Sequence, residues 1–399
     1  MKNFDSRPEN TLLRSQKERE NNKISFIYIM KALLSAFLTL ITASNYGQQS
    51  YQLLIGTYTN SGRSAGIHWI NWDTATKQAT TKSVTKITDP SYLAISFNKK
   101  YVYAVSEFNN EKAAIHSFTI RTKNNTLIET GKEEALGEAP CYITVTKNNR
   151  FAFIANYTGG SITVFPINKN GAVSAASQRI QQRGSSINTA RQEKSHAHAA
   201  VISKNERFLF VQNLGSDKLA AYALHTDAKR RPLSSRPIAI WKAPPGSGPR
   251  HIALHPMKSY VYSINELTAT VTVLQFNGKK FKALQTYLLP DSSFTGKNGA
   301  ADIHISNDGK FLYASNRGDA NEITVFAIQQ NGYLKKLQNQ SVLGKTPRNF
   351  SIDPSGNFLL VANQNSDEIV VFNRSKTTGL LSDSGTRIRV GSPVCIQFY

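Results

Sequence analysis

From Pro90 onward, apolar and polar residues alternate with a period of two, over short runs broken by turns rich in Asn, Gly, Asp and Lys. Such alternation, with many β-branched and aromatic residues, predicts antiparallel strands. Almost no stretch has the period of a helix. One line of text recurs. It reads PSYLAISFNKKYVYAVSE from Pro90, PCYITVTKNNRFAFIANY from Pro140 and AHAAVISKNERFLFVQNL from Ala197. It returns as PRHIALHPMKSYVYSINE from Pro249, AADIHISNDGKFLYASNR from Ala300 and PRNFSIDPSGNFLLVANQ from Pro347. A polar residue closes the second strand of each copy, at Ser106, Asn156, Asn213, Asn265, Asn316 and Asn363, with spacings of 47 to 57 residues. A third strand follows, such as SITVFPI from Ser161 or EITVFAI from Glu322, then a Gly turn and a fourth strand. Four strands in about 50 residues make a propeller blade.

The two ends supply one more unit. SPVCIQFY from Ser392 matches only a first strand, whereas YQLLIGTYT from Tyr51 and GIHWINW from Gly66 match strands two and three. Joined, they form a blade, and the joint removes two exposed sheet edges. The predicted fold is all-β: a seven-bladed β-propeller over residues 51–399, closed by pairing of its N- and C-terminal strands in one blade.

Blade geometry turns this repeat into a statement about chemistry. The start of strand one and the end of strand two lie at the same face of the channel. Alignment puts Ser91, Cys141, His198, Arg250, Ala301, Arg348 and Val394 at the first position. It puts Thr57, Glu107, Tyr157, Leu214, Glu266, Arg317 and Gln364 at the second. The mouth therefore gathers His198, Arg250, Glu266, Arg317 and Arg348, with His196, His251 and Asp302 one or two residues away. Clustered arginines repel one another unless a carboxylate or anion sits among them. Arginine also grips planar anions in a bidentate manner. Glu266 or His198 is placed to move a proton, and the sequence does not choose between them. Two long connections, Arg183 to Ser195 and Pro290 to Gly299, should sit at the same face.

Plainer roles weigh against these. For His196 and His198, orienting and catalysis are equally supported. Arg250 and Arg348 could be interblade salt bridges, Glu266 and Arg317 on adjacent blades could pair, and Glu107 reads as structural. No metal-ligand spacing, nucleophile elbow or phosphate-binding loop is present, so neither metal nor cofactor is expected.

Composition refines the picture. The 399 residues carry a formal net charge of +22, dispersed over turns without a basic run or nucleic-acid-binding signature. Dispersed positive charge favours small anions over nucleic acid as partners. Residues 1–48 differ: a polar stretch precedes Lys31, and ALLSAFLTLITAS runs from Ala32 to Ser44. That run is short for a membrane span and fits a secretory signal with cleavage near Gly47 or Gln48. The alternative is an uncleaved anchor, and Met30 is a second possible start. A periplasmic or secreted monomer is expected, without stable membrane insertion, or a cytoplasmic one if the segment is not a signal. The two cysteines, Cys141 and Cys395, are too few for a disulfide framework and are expected to be free and buried.

SHAHAAV at Ser195, NLGSDKL at Asn213, GPRH at Gly248, INEL at Ile264 and IGTYT at Ile55, with the copies at Ala301 and Pro347, carry a family resemblance over residues 51–399. The chain resembles the propeller-type 6-phosphogluconolactonases. That family is similar in turn to fungal carboxy-cis,cis-muconate cyclase, which forms or opens a lactone in this fold. The resemblance implies a lactonase for a sugar lactone. It also matches the cyclase's functional His, Arg, Glu and Arg to His198, Arg250, Glu266 and Arg317. His196, His251, Asp302 and Arg348 are expected around an anionic lactone. Export departs from the family's cytoplasmic role and opens the choice of substrate. A non-catalytic binding propeller and a lactone-forming cycloisomerase remain the alternatives.

Overall fold

The structure, a computed structural model, describes residues 50–60 and 62–399. The expected signal segment lies outside the described residues, and no described helix is long and apolar enough to cross a membrane. The described residues form seven four-stranded antiparallel sheets. Blade one starts on Leu93–Ile95, and blades two to six start on Pro140–Val145, Ala197–Ile202, Pro249–Leu254, Ala300–Ile305 and Pro347–Ile352. Blade seven orders Pro393–Phe398, Ser50–Thr57, Gly66–Asp73 and Ala79–Lys86. The terminal strands pair antiparallel, Leu53 opposite Phe398 and Ile55 opposite Ile396, so the closure read from the two half-units is present.

Burial grades outward through each blade. Phe151–Asn156 is buried throughout, because neighbouring blades cover both its faces. The outer strand Thr126–Glu134 is mostly exposed and correspondingly charged. The core is therefore a set of interblade layers. In one, Phe151, Phe153, Ile162 and Val164 of blade two pack against Ala197, Leu209 and Val211 of blade three. Each buried Phe contributes about 2–3 kcal/mol.

Two recurring devices explain the repeated text. At the turn between strands one and two, Ser96, Thr146, Ser203 and Ser306 each accept a hydrogen bond from the backbone N–H five residues on, at 3.0–3.1 Å. Asp353 does the same for Phe358. At the outer turn, glycine latches neighbouring blades. Tyr103, Tyr262 and Tyr313 donate to the carbonyls of Gly171, Gly332 and Gly379 on the next blade, at 2.8–3.1 Å. Gly379 has φ +76°, and a Cβ there would lie 2.2 Å from the Phe311 ring, so both backbone and contact demand glycine.

A third feature was not visible in the alignment. In blade two, Pro140 pairs with Asn156 and Tyr142 with Ala155, leaving Cys141 outside the ladder. His198, Arg250, Arg348 and Val394 are bypassed in the same way. In blade five the shift takes in Ala301 and Asp302. Each is a β-bulge, which turns two successive side chains toward one side and re-aims them. Six of the seven strand-start positions are bulges; Ser91 of blade one precedes its short strand Leu93–Ile95, which pairs without a shift.

Candidate active site

Glu266 is the electrostatic centre of one side of the mouth. Its Oε2 lies 2.9 Å from Arg250 Nε and 3.0 Å from Arg317 Nη2, and Oε1 lies 2.7 Å from Arg191 Nη2. Burial alone would raise this carboxyl. The charges of Arg317, Arg250 and Arg191 outweigh it and hold the group at about 2. Arg250 is 2% exposed and spends Nη1 on the Ala301 carbonyl. Arg317 donates from Nε to the Gly299 carbonyl at 2.9 Å, and burial with its cationic neighbours lowers it to about 10. Both long connections reach this face: one brings Arg191, the other the Gly299 carbonyl.

His198 stands beside this cluster on blade three. Its ring meets Tyr157 edge-on at 5.4 Å and His251 at 5.2 Å, and Nδ1 is 3.7 Å from Cys141 Sγ. Burial, then the charges of Arg250, His251 and Arg348, hold its pKa well below the usual imidazole range. It is therefore neutral near pH 7, and among the described residues Nε2 has no protein partner. Burial pushes the Cys141 thiol up, so this cysteine is a neutral thiol. Cys141 and Cys395 are both free and buried.

The other side of the mouth is differently furnished. Arg348 rests over the Tyr58 ring, Cζ 5.1 Å from its centroid, and no hydrogen bond from its guanidinium to protein is found among the described residues. Tyr58 Oη donates to Glu107 Oε2 at 2.9 Å. Burial raises Glu107 more than Arg348 and Tyr58 lower it. Four guanidiniums, one of them from the Arg183 to Ser195 connection, thus face two carboxyls at the mouth.

A second set of contacts adjoins this cluster. His251 Nδ1 donates to Asp302 Oδ1 at 2.8 Å, which leaves Nε2 to accept from Arg250 Nη1 at 3.3 Å. Burial and Arg250 lower His251 to about 4. Asp302 also receives His304 Nε2 at 3.0 Å and Asn349 Nδ2 at 2.6 Å. Its oxygens are thus taken up by protein. Burial would raise this carboxyl, but His304 and His251 hold it well below the usual carboxylate range. Tyr142 stacks on Tyr92 at 4.2 Å, and both meet the His251 ring edge-on. His196 stands behind Tyr157: the rings stack at 4.5 Å, Nδ1 meets the Tyr157 carbonyl at 3.1 Å, and Nε2 faces Glu193 at 3.1 Å.

The sequence-predicted residues therefore separate by their contacts. His198, Arg250, Glu266, Arg317 and Arg348 come together at the mouth. His251 adjoins them through Arg250 and His198, Asp302 bonds His251, and His196 stacks on Tyr157. Arg191, Tyr58, Tyr157 and His304 were not singled out beforehand. Arg191 sits in a non-repeating insertion that gives no register. His304 carried one usable signal, its place two residues from Asp302 on the same strand.

A neutral imidazole beside a guanidinium cluster can activate water next to a polarised carbonyl. The class this defines is a propeller hydrolase. The family described as "Lactonase, 7-bladed beta-propeller" matches residues 52–398, and the chain belongs to it. A 6-phosphogluconolactonase of Formosa agariphila is 35% identical over 87% of this chain and 99% of its own length. One of Bacillus subtilis is 32% identical over 86% and 97%. Among solved structures, the periplasmic gluconolactonase of Pseudomonas aeruginosa superposes with a TM-score of 0.82 at 32% identity, covering 88% of this chain and 99% of that one. The protein is a lactone-hydrolysing enzyme.

Proposed function

We propose that the enzyme hydrolyses an aldonolactone, preferentially one bearing an anionic substituent, with His198 as general base. The observation that carries this reading is the division of labour around Glu266. Three arginines occupy its oxygens and depress its pKa to about 2, so it is a poor proton acceptor near neutrality. His198 is neutral, and its Nε2 is free of protein partners among the described residues. Glu266 instead orients Arg250 and Arg317, whose remaining N–H groups stabilise charge developing on the carbonyl oxygen. Arg348, without a protein hydrogen bond among the described residues, takes the acidic substituent.

The adjoining residues act by positioning. Asp302 fixes the His251 tautomer, His251 steadies Arg250, and His196 backs Tyr157, which packs on His198. This reading revises the expectation that His196, His251 and Asp302 touch substrate. 6-Phosphogluconolactone and gluconolactone, the substrates named for its relatives, are the first candidates. The apolar run of residues 32–44 and the periplasmic relative support work outside the cytoplasm. There, unphosphorylated or carboxylated sugar lactones become natural candidates.

The test is hydrolysis of both lactones by purified enzyme, corrected for spontaneous opening, beside His198→Ala and Glu266→Gln. A loss of about 10²–10⁴ in kcat for His198→Ala is expected. A His198→Ala variant with wild-type kcat removes the assignment of the base.

A further inference from the structure

We propose that Glu107 is the general acid that protonates the departing ring oxygen, acting across the mouth from the Glu266 cluster. The inference rests on the lactonase reading and deepens it. Opening an aliphatic lactone expels an alkoxide, a poor leaving group that needs a proton as the bond breaks. The mouth holds few groups able to give one. The arginines do not release protons in a protein. Burial pushes the hydroxyl of Tyr58 and the thiol of Cys141 up, away from useful acidity. His198 takes its proton from water, and Glu266 is tied to three cations.

Glu107 differs from Glu266 on each count. In a seven-blade ring, blade one stands opposite blades four and five, which carry Glu266 and Arg317. Its backbone N–H is anchored to the Asp89 carbonyl at 3.1 Å. Tyr58, from blade seven, holds Oε2 at 2.9 Å. The ionisable groups that face it are Arg348, Tyr58, Arg250 and Cys141, from blades six, seven, four and two, and Ser91 of its own blade lies beside it. Among the described residues it makes no direct ion pair of the kind that pins Glu266. Burial is the largest influence on it and favours the protonated form. Two carboxyls in one site with affinities driven apart are how one fold separates acid from base roles.

The step balances. Water's oxygen bonds to the carbonyl carbon, and its proton passes to His198 Nε2. The bond from that carbon to the ring oxygen breaks with both electrons on the oxygen, which takes the Glu107 proton. The hydroxy acid ionises to solvent, and the His198 proton returns through water to the Glu107 carboxylate. One water is consumed and one proton is released.

The test uses wild type, Glu107→Gln and Glu107→Asp on δ-gluconolactone and 6-phosphogluconolactone across pH 5 to 9. Glu107→Gln should lose about 10²-fold or more in kcat with little change in KM. Wild-type kcat should fall as pH rises through the Glu107 ionisation, since the acid must be protonated. That alkaline limb should persist in Glu107→Asp and vanish from the residual rate of Glu107→Gln. A Glu107→Gln enzyme within threefold of wild type overturns the proposal, and so does a limb that survives the change. If Glu107→Gln does not fold, a wild-type kcat lacking an alkaline limb overturns it. Wild type inert on every lactone removes the lactonase reading first, and this one with it.

Discussion

Replacing Glu266 with Gln removes one charge and almost no volume, so its cost isolates the three-arginine clamp. The carboxyl sits at about 2 in the folded protein against 4.5 in its ordinary state. That difference corresponds to about 3 kcal/mol of folding stability, at 1.36 kcal/mol per pKa unit. Because the folded pKa is the lower one, this stability is fully present above pH 4.5 and drains away as pH falls toward 2. Solvent screening does little to reduce the figure, since Glu266 is 6% exposed and its partners Arg250 and Arg317 are themselves shielded from water. The assay is urea unfolding of wild type and Glu266→Gln at pH 7 and pH 3. At pH 7 the variant should be less stable by about 3 kcal/mol or more, since three buried cations lose their partner. By pH 3 roughly 2 kcal/mol of that gap should have closed, as the wild-type carboxyl takes up its proton on unfolding. A gap of equal size at both pH values would refute the electrostatic origin of the clamp.

Three further outcomes follow from the geometry. Arg348→Ala should raise KM for 6-phosphogluconolactone about 10-fold or more, as expected for lost hydrogen bonds to a charged group, and change KM for gluconolactone far less; steady-state kinetics on the pair reads this directly. The acid limb of kcat/KM should lie well below pH 6.5, because burial and the neighbouring cations depress His198 and the base is lost only as pH falls through that lowered value; a limb centred at 6.5 or above would exclude His198. Gly379→Ala should cost about 2–4 kcal/mol by thermal or urea unfolding, combining a left-handed backbone with a clash on Phe311. Gly385→Ala, at φ +77° with nothing within 4 Å of its Cβ, should show only the backbone share of about 1–2 kcal/mol.

The propeller was legible because its information is repeated. Six near-copies of one line outvote any local ambiguity, and two half-copies at the ends specify the closure. The mouth was legible only where it shares that repeat. His198, Arg250, Glu266, Arg317 and Arg348 occupy aligned columns, so counting blades was enough to bring them together. Side-chain partners were not legible. Alternation along a strand tells which side a residue faces, but the bulge at the strand start of six blades breaks that count. The sequence therefore did not show that His251 bonds Asp302 on one side and meets Arg250 on the other. Arg191 escaped because its loop has no counterpart in other blades. Glu107 was weighed and read as structural. It occupies an aligned column, but its significance depends on Tyr58 and Arg348, which arrive from blades seven and six.

The bulges carry one more implication. A residue outside the ladder owes nothing to strand pairing, so its side chain can change without asking the sheet to refold. The protein holds a set of such vacancies around one mouth, tenanted now by thiol, imidazole, guanidinium and small side chains. Those outside the arginine clamp can be re-let independently, while the interblade layers stay as they are. Diversification of substrate across such propellers should therefore be concentrated in these few columns and in the insertions that overhang them, and a library randomised there should retain folded members at an unusually high rate.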